Sequence, residues 1–448
     1  MRLAVRGEAL TPDDPGYEDA RRLYNGMIDR RPALLVRAGG TEDVVVALAH
    51  ARSRGMEVSV RGGGHGVAGL ALGGDLVIDL SALRGVTVDA RERTAVVGGG
   101  ATWRDVDQAT QAHGLAVPGG RVSHTGVAGL TLGGGHGWLS GRHGLTSDNL
   151  IGVEMVTADG RVVSVTDRDE PELMWALRGG GGNFGVVTSF TFRLHPVEPL
   201  MLGGLIGYRV ADAPAVLDAL AGLEDFPDYN GAVIFMTAPP EPFVPGHVVG
   251  RPVLAVAPVW LGDPDAGKEL IRPLYAAAEP LFDAVQPMPY VALQSMIDGS
   301  AQPGWRNRWS AELVRDLPPD LVADLQDAAM TAPSPLTQLV VAAMPEAVRN
   351  GPGSAYPGRE GGRYLIHPMA VWTDPADDEA NRAWTAKVTA AIRGHEVTGT
   401  YLNLEAPDDD RVRWAMGEER YGRLRRVKSA WDPDDVFRHC AHVRVISE

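Results

Sequence analysis

The chain has almost no cysteine: Cys440 is the single one in 448 residues. One thiol cannot form an intramolecular disulfide or a cysteine-rich metal site. A protein without disulfides suits a reducing compartment. Long apolar runs are also missing. Gly, Pro or a charged residue interrupts each of them well before the ~18 residues that a membrane span requires. The opening stretch, MRLAVRGEALTPDD, has no apolar core of the kind a secretory signal carries. A cytoplasmic protein with no membrane partner is therefore expected. Positive charge is in deficit, with 42 Lys+Arg against 57 Asp+Glu and a net charge of −15. No basic stripe is present to displace counterions from a phosphate backbone, so nucleic acid is not an expected partner. The basic residues are nearly all Arg, and Ala, Gly, Asp and Val are abundant, a composition expected of a GC-rich bacterial genome.

Glycine is what the chain has most visibly, with 55 residues. Between residues 33 and 200 short Val/Leu/Ile runs alternate with glycine clusters. The runs Pro32–Arg37, Val58–Arg61, Asp75–Leu80, Thr94–Gly98 and Val153–Thr157 read as strands. Thr41–Arg52 reads as a helix with a Thr N-cap and acids in its first turn. Thr102–His113 reads as a second helix, closed by Gly114. From about 200 to 400 glycine thins and proline rises. Gly250–Trp260 and Arg363–Trp372 read as strands there, and Thr373–Ile392 as a helix with an acidic start. At ~100–200 residues per domain, two or three domains are expected. The pattern is α+β, with an antiparallel sheet covered by helices in the second part.

Four glycine clusters carry the chemistry: Arg61-Gly-Gly-Gly-His-Gly66, Pro118-Gly-Gly120, Gly133-Gly-Gly-His-Gly137 and Gly179-Gly-Gly-Gly-Asn-Phe-Gly185. Two contain the spacing G-x-G-x-x-G, at Gly64/Gly66/Gly69 and Gly180/Gly182/Gly185. Neither has the strand, helix and downstream acid of a dinucleotide-binding βαβ unit. Glycine lets backbone approach a ligand closely and lets N–H groups converge on phosphate. Any one cluster is equally well a tight turn. Four of them, two with an embedded His, suit a long ligand with a pyrophosphate. His65 is the sharpest residue, because a neutral imidazole is both a nucleophile and a metal ligand. It lacks partners at metal-ligand spacing, and no metal site is expected. A loop histidine bonded to backbone is the plainer alternative.

In this order and spacing the motifs resemble the vanillyl-alcohol-oxidase superfamily, specifically the berberine-bridge-enzyme-like oxidases. The resemblance runs over nearly the whole chain. Arg61-Gly-Gly-Gly-His65 resembles the motif whose His is joined to the 8α-methyl carbon of FAD. Gly126–Gly137 with Gly144–Asn149 resembles the second FAD-binding stretch, and Trp175–Phe190 the stretch closing the FAD domain. Tyr401-Leu-Asn403 and Trp431–Phe437 resemble the segment that returns to the flavin. The resemblance implies a two-domain PCMH-type FAD-binding fold. Residues 1–200 would bind FAD, 201–400 would bind substrate, and 401–448 would return to the FAD domain. It implies His65 as the covalent tether. The other cofactor contacts would be Arg61, Gly62, Gly63, Gly64, Gly66, Val67, Pro118, Gly119, Gly120, His124, Thr125, Gly126, Gly129, Gly134, Gly135, His136, Gly137, Val187, Tyr401 and Asn403.

The chain departs from the family pattern at three positions. Many relatives add a thioether through a Cys at the position of Val122, which valine cannot form. The position that gates oxygen holds Thr125, small enough to leave room for O2. The residue after Tyr401-Leu-Asn403 is Leu404, where relatives often carry a Tyr or His. On the substrate side, the family places a catalytic side chain five residues before a Trp, and here that is His367 before Trp372. A His near pKa 6.5 suits a general base at neutral pH. Tyr401 is a second catalytic candidate, although Tyr hydroxyls near pKa 10 more often anchor than abstract. Trp305-Arg-Asn-Arg-Trp309 suits a sheet edge or pocket wall, and His439-Cys-Ala-His442 a polar run near the flavin. The expected activity is oxidation of a small alcohol, sugar, phenol or amine, with hydride passing to FAD and then to O2. A dehydrogenase with another acceptor, or a lyase or isomerase using the pocket as scaffold, are the alternatives. Composition leaves the substrate and the oligomeric state open.

Overall fold

Strand Leu76–Asp79 is buried at every position, as befits a strand flanked on both sides. It pairs in parallel with Leu34–Arg37 and Val58–Arg61, and Glu8–Leu10 closes the edge antiparallel. A computed structural model describes residues 3–360, 362–405 and 408–446 of the chain. Helix Thr41–Arg54 packs Val44, Ala47, Leu48 and Ala51 into the core beside this small sheet. Gly40, not Thr41, is its N-cap. The Thr41 hydroxyl instead donates to Glu154 Oε1 on a neighbouring strand at 2.8 Å. The Asp43 carboxylate accepts the N–H groups of Arg6, Gly7 and Gly39, tying the N-terminal segment to the helix start.

A second sheet has five antiparallel strands in the order Val86–Asp89, Thr94–Gly98, Val186–Arg193, Leu150–Val156, Val162–Thr166. Its central strand turns Phe190 and Phe192 into a core shared with Trp103 of helix Trp103–Gln111. That helix opens on a capping box between Thr102 and Asp105 and is followed by Gly114 at φ +65°.

The third and largest sheet is built on Tyr364–Trp372, which pairs with Gln338–Ala343 on one side and with Arg306–Trp309 and Glu312–Val314 on the other. Alternation decides its two faces. Tyr364, Ile366, Ala370 and Trp372 pack with residues of helices Ala213–Ala221, Pro319–Met330 and Asp378–Arg393. Leu365, His367 and Met369 take the opposite face. On that face Ile234, Val340 and His367 stand in register across three adjacent strands.

Helix Asp409–Trp431 leaves this sheet and packs Val412, Met416, Leu424 and Val427 into the core of the second sheet. Lys428 near its end is fully buried. Its ammonium donates to Asp432 Oδ2 at 2.6 Å and to the carbonyls of Asn183 and Phe437 at 3.0 and 2.9 Å. These bonds fix the segment Asp432–Val443 against the glycine loop 179–185. Among the described residues, no helix is long and apolar enough to cross a membrane.

Candidate active site

A cavity opens between the two small sheets and the returning C-terminal segment. Its wall is mostly glycine and small apolar side chains. Of the sequence-predicted residues, Gly62, Gly66, Val67, Gly129, Val187 and Asn403 line it. A methyl group added at Gly66 or Gly129 would meet no protein atom within 4 Å. These glycines keep space free for something other than the chain.

Other glycines of the same clusters serve the chain itself. Gly63 and Gly126 lie back to back, and a Cβ on Gly63 would sit 2.6 Å from the Gly126 nitrogen. Gly119 and Gly120 lie against Trp103, Gly134 against Tyr356, and Gly137 against the carbonyl of Gly119. Gly64 faces Leu23 and Arg61, and Arg61 itself turns back to donate to the Ala20 carbonyl. The Pro118 carbonyl accepts the Thr146 hydroxyl at 2.7 Å. Thr125 makes backbone bonds to Trp103 and Val122.

His65 directly precedes the lining residue Gly66, with its ring stacked on Tyr24 at 3.9 Å and 13°. His124 is 5.2 Å away and Trp309 is 6.4 Å away, centroid to centroid. His65 Nε2 is buried without a hydrogen-bond partner, as are Nε2 of His124 and His136. Burial, helped by His124, pushes the His65 pKa down to about 3, so the ring is neutral. Burial likewise holds His136 neutral.

His367 joins this group of rings, an aromatic chamber, from the sheet side, edge-on to Trp309 at 5.3 Å. Its Nδ1 lies 2.6 Å from the Ser310 carbonyl, which can only accept, so Nδ1 carries the proton and Nε2 the lone pair. The cause is Pro368. Ser310 N–H donates to the Pro368 carbonyl at 3.1 Å, and the reciprocal bond of an antiparallel pair needs an N–H that proline lacks. The ring of His367 supplies that bond instead. Burial pushes its pKa down to about 4, below the 6.5 on which the sequence reading rested.

Tyr401 is held differently. Its hydroxyl accepts the Gly135 N–H at 3.0 Å and the Asn403 amide at 3.1 Å, and burial raises its pKa. That is the environment of an anchor. The Trp305–Trp309 motif divides: Arg306 forms a two-point pair with Asp378, while Trp309 turns into the chamber. His439, Cys440 and His442 bond separately to Glu57, Asn183 and Asp435.

The sequence pointed to neither Tyr24 nor Arg121. Trp309 was expected at a sheet edge or pocket wall, and Gly181, Gly182, Cys440 and Ala441 of the cavity wall lie in the glycine cluster and in the polar run expected near the flavin, although none was singled out as a cofactor contact. The 179–185 cluster signalled the wall. Nothing local marks Tyr24, which reaches the chamber only through the tertiary fold.

The sequence matches the FAD binding domain family over residues 32–166 and the berberine and berberine like family over residues 400–444. It is 30% identical over 435 residues to an FAD-linked oxidoreductase of Dictyostelium discoideum, covering 96% of this chain and 92% of that one. The chain belongs to the berberine-bridge-enzyme-like FAD-linked oxidoreductases. It is also 30% identical to (R)-6-hydroxynicotine oxidase of Paenarthrobacter nicotinovorans, over 98% of this chain and 96% of that one. The crystal structure of 6-hydroxy-D-nicotine oxidase from Arthrobacter nicotinovorans superposes with a TM-score of 0.89 at 27% identity, covering 99% of each chain. The α+β, PCMH-type fold expected from the sequence is thus present, and the cofactor of this berberine-bridge-enzyme-like chain is FAD. The cavity fits that cofactor. It is walled largely by glycine, it leaves open space before Gly66 and Gly129, and His65, the chain neighbour of Gly66, has a buried ring nitrogen with no partner of its own.

Proposed function

We propose that this chain is an oxidase of a small organic molecule, with FAD tethered through His65 alone and O2 as the final acceptor. When bound, FAD supplies the two-electron acceptor for the substrate's hydride. The observation that carries the reading is the shared chamber. His65 and His367 both lie beside one indole, that of Trp309, at 6.4 and 5.3 Å between ring centroids. A substrate held there lies between the residue that would fix the cofactor and a residue that can take a proton.

The protein's own part is positional. Trp309 and Tyr24 wall the chamber and exclude water. Ser310 holds the His367 ring by Nδ1, leaving the Nε2 lone pair to receive the proton of a substrate O–H or N–H. A neutral, unpartnered His65 is the nucleophilic form that attachment requires. Val122 packs beside Tyr24, Val67 and Trp309 and offers no sulfur for a second link. Thr125 supports access by O2 through its small size. Of the remaining sequence-derived set, Gly62, Gly66, Val67, Gly129, Val187 and Asn403, which line the cavity, would contact the cofactor, with residues 1–200 binding FAD and 201–400 the substrate. A cytoplasmic bacterial enzyme of secondary metabolism suits the composition.

The test is a substrate screen on the purified yellow protein. A substrate must bleach the flavin without oxygen and then yield hydrogen peroxide in air. Bleaching without peroxide makes the chain a dehydrogenase. Turnover of a substrate with no bleaching at all makes it a lyase or isomerase on a flavin scaffold.

A further inference from the structure

Arg121 lies between the Pro118-Gly-Gly120 turn and Val122, and the oxidase reading gives it no work. Its guanidinium sits over the Trp138 ring, 4.7 Å from the centroid. Its Nε is buried with no hydrogen-bond partner, and among the described residues no carboxylate pairs with it. The one group that favours its charge electrostatically is the Tyr401 hydroxyl. Desolvation lowers its pKa to about 10, which still leaves it cationic at neutral pH. The neutral His136 beside it also has an unpartnered Nε2. The side chain is half-buried, and its Nε is shut off from water without a partner, an arrangement that an incoming anion would satisfy.

Trp138 ties this position to the sheet that carries His367. It belongs to the apolar cluster that contains Ile234 and Ala255 and borders Val340. Ile234 and Val340 are the register neighbours of His367 on the same face of the sheet. Two strand spacings, ~10 Å, separate Ile234 from His367.

We propose that Arg121 binds a carboxylate of the substrate, so that the molecule oxidised near His367 is an aromatic or short-chain carboxylic acid. This rests on the oxidase reading for the site but not on turnover. The Arg121 fork matches the two oxygens of a carboxylate, and the ring of Trp138 braces the guanidinium from one face. One guanidinium beside a neutral imidazole and a neutral phenol balances one negative charge. A phosphate dianion would stay half uncompensated.

The probes are benzoate, benzamide and benzyl alcohol, titrated into the holoenzyme while the flavin absorbance and the bound fraction in dialysis are followed. Benzoate is expected to bind about tenfold or more tighter than benzamide, the effect of a charge-assisted hydrogen bond. Arg121→Met should reduce the preference to about twofold or less, and Arg121→Lys should keep part of it. Equal binding of benzoate and benzamide by the wild type overturns the proposal. So does an Arg121→Met variant that keeps the preference while its flavin potential moves, since Arg121 would then serve the cofactor. Should Arg121→Met fail to fold, the wild-type comparison and Arg121→Lys still decide. Binding is read without catalysis, so an enzyme that makes no peroxide refutes the oxidase reading and leaves this measurement intact.

Discussion

The Ser310 carbonyl takes from the ring of His367 the hydrogen bond that the strand opposite cannot give, at 2.6 Å. The missing donor is Pro368. Replacing it with alanine adds an N–H that competes for the same carbonyl and frees the imidazole to rotate or change tautomer. Pro368→Ala should therefore lower kcat about tenfold or more with little change in KM, as expected for loss of a correctly held base. A pH–rate profile distinguishes this from simple unfolding. In the wild type the acid limb of kcat/KM should fall near pH 4, the pKa to which burial brings His367, and in the variant it should move lower still, because the Ser310 bond that is lost favours the charged ring while burial remains.

His65→Ala should fold and keep some FAD. After acid precipitation the wild type should hold its yellow colour in the pellet, and the variant should release it to the supernatant. Colour that stays in the pellet of the variant assigns the tether elsewhere.

The two classes of glycine predict opposite outcomes for the same substitution. Gly129→Ala meets open space, so the protein should fold with an unchanged melting temperature in its flavin-free form while its flavin content falls. Gly63→Ala drives a methyl group into the Gly126 backbone. Overpacking of this kind costs ~1–3 kcal/mol, and the melting temperature should drop with or without cofactor. Equal effects at both sites would contradict the division.

Buried neutral histidines make stability depend on pH. The folded-state pKa of His367 is lowered to about 4, while the unfolded chain titrates near ~6.5. Between those values the unfolded state binds more protons, so stability rises with pH through this window and is flat above it. The raised carboxyl of Asp107, at about 7, acts in the opposite sense. Comparing wild type with His367→Asn cancels that background. The wild type should lose melting temperature relative to the variant as pH falls from 6.5 to 4. Parallel curves would show that His367 is not held neutral.

Tyr401→Phe removes the acceptor for the Gly135 N–H and the Asn403 amide. Stability should fall by ~1–3 kcal/mol, the cost of buried donors left unmade. Calorimetry reads this loss. The shape of the pH–rate profile should not change, because an anchoring hydroxyl holds no proton that the reaction needs.

Much of the fold was legible because its signals are local. Val58–Arg61, Thr94–Gly98 and Tyr364–Trp372 lie where apolar runs bounded by turn residues place strands. The Thr41 cap was misread because a capping side chain can be drawn off by a tertiary partner, here Glu154. In the site, His65 and His367 stood out from motif context, but their relation did not. It depends on Tyr24 and Trp309, 285 positions apart in the numbering of the chain, which meet at 5.9 Å. The protonation of His367 was equally hidden, since burial and the donor gap at Pro368 set it. Arg121 drew no notice because an arginine beside a glycine turn usually points to solvent.

The bond between Cys440 and Asn183 links residues 257 positions apart. The wall that Cys440 and Ala441 give the cavity is therefore made long after the glycine loops that face it. At ~5–20 residues per second, a ribosome reaches that wall some ~10–50 seconds after Asn183. The cavity is therefore closed only by the last part of the chain to be made, which also supplies Val412, Met416, Leu424 and Val427 to the core of the second sheet.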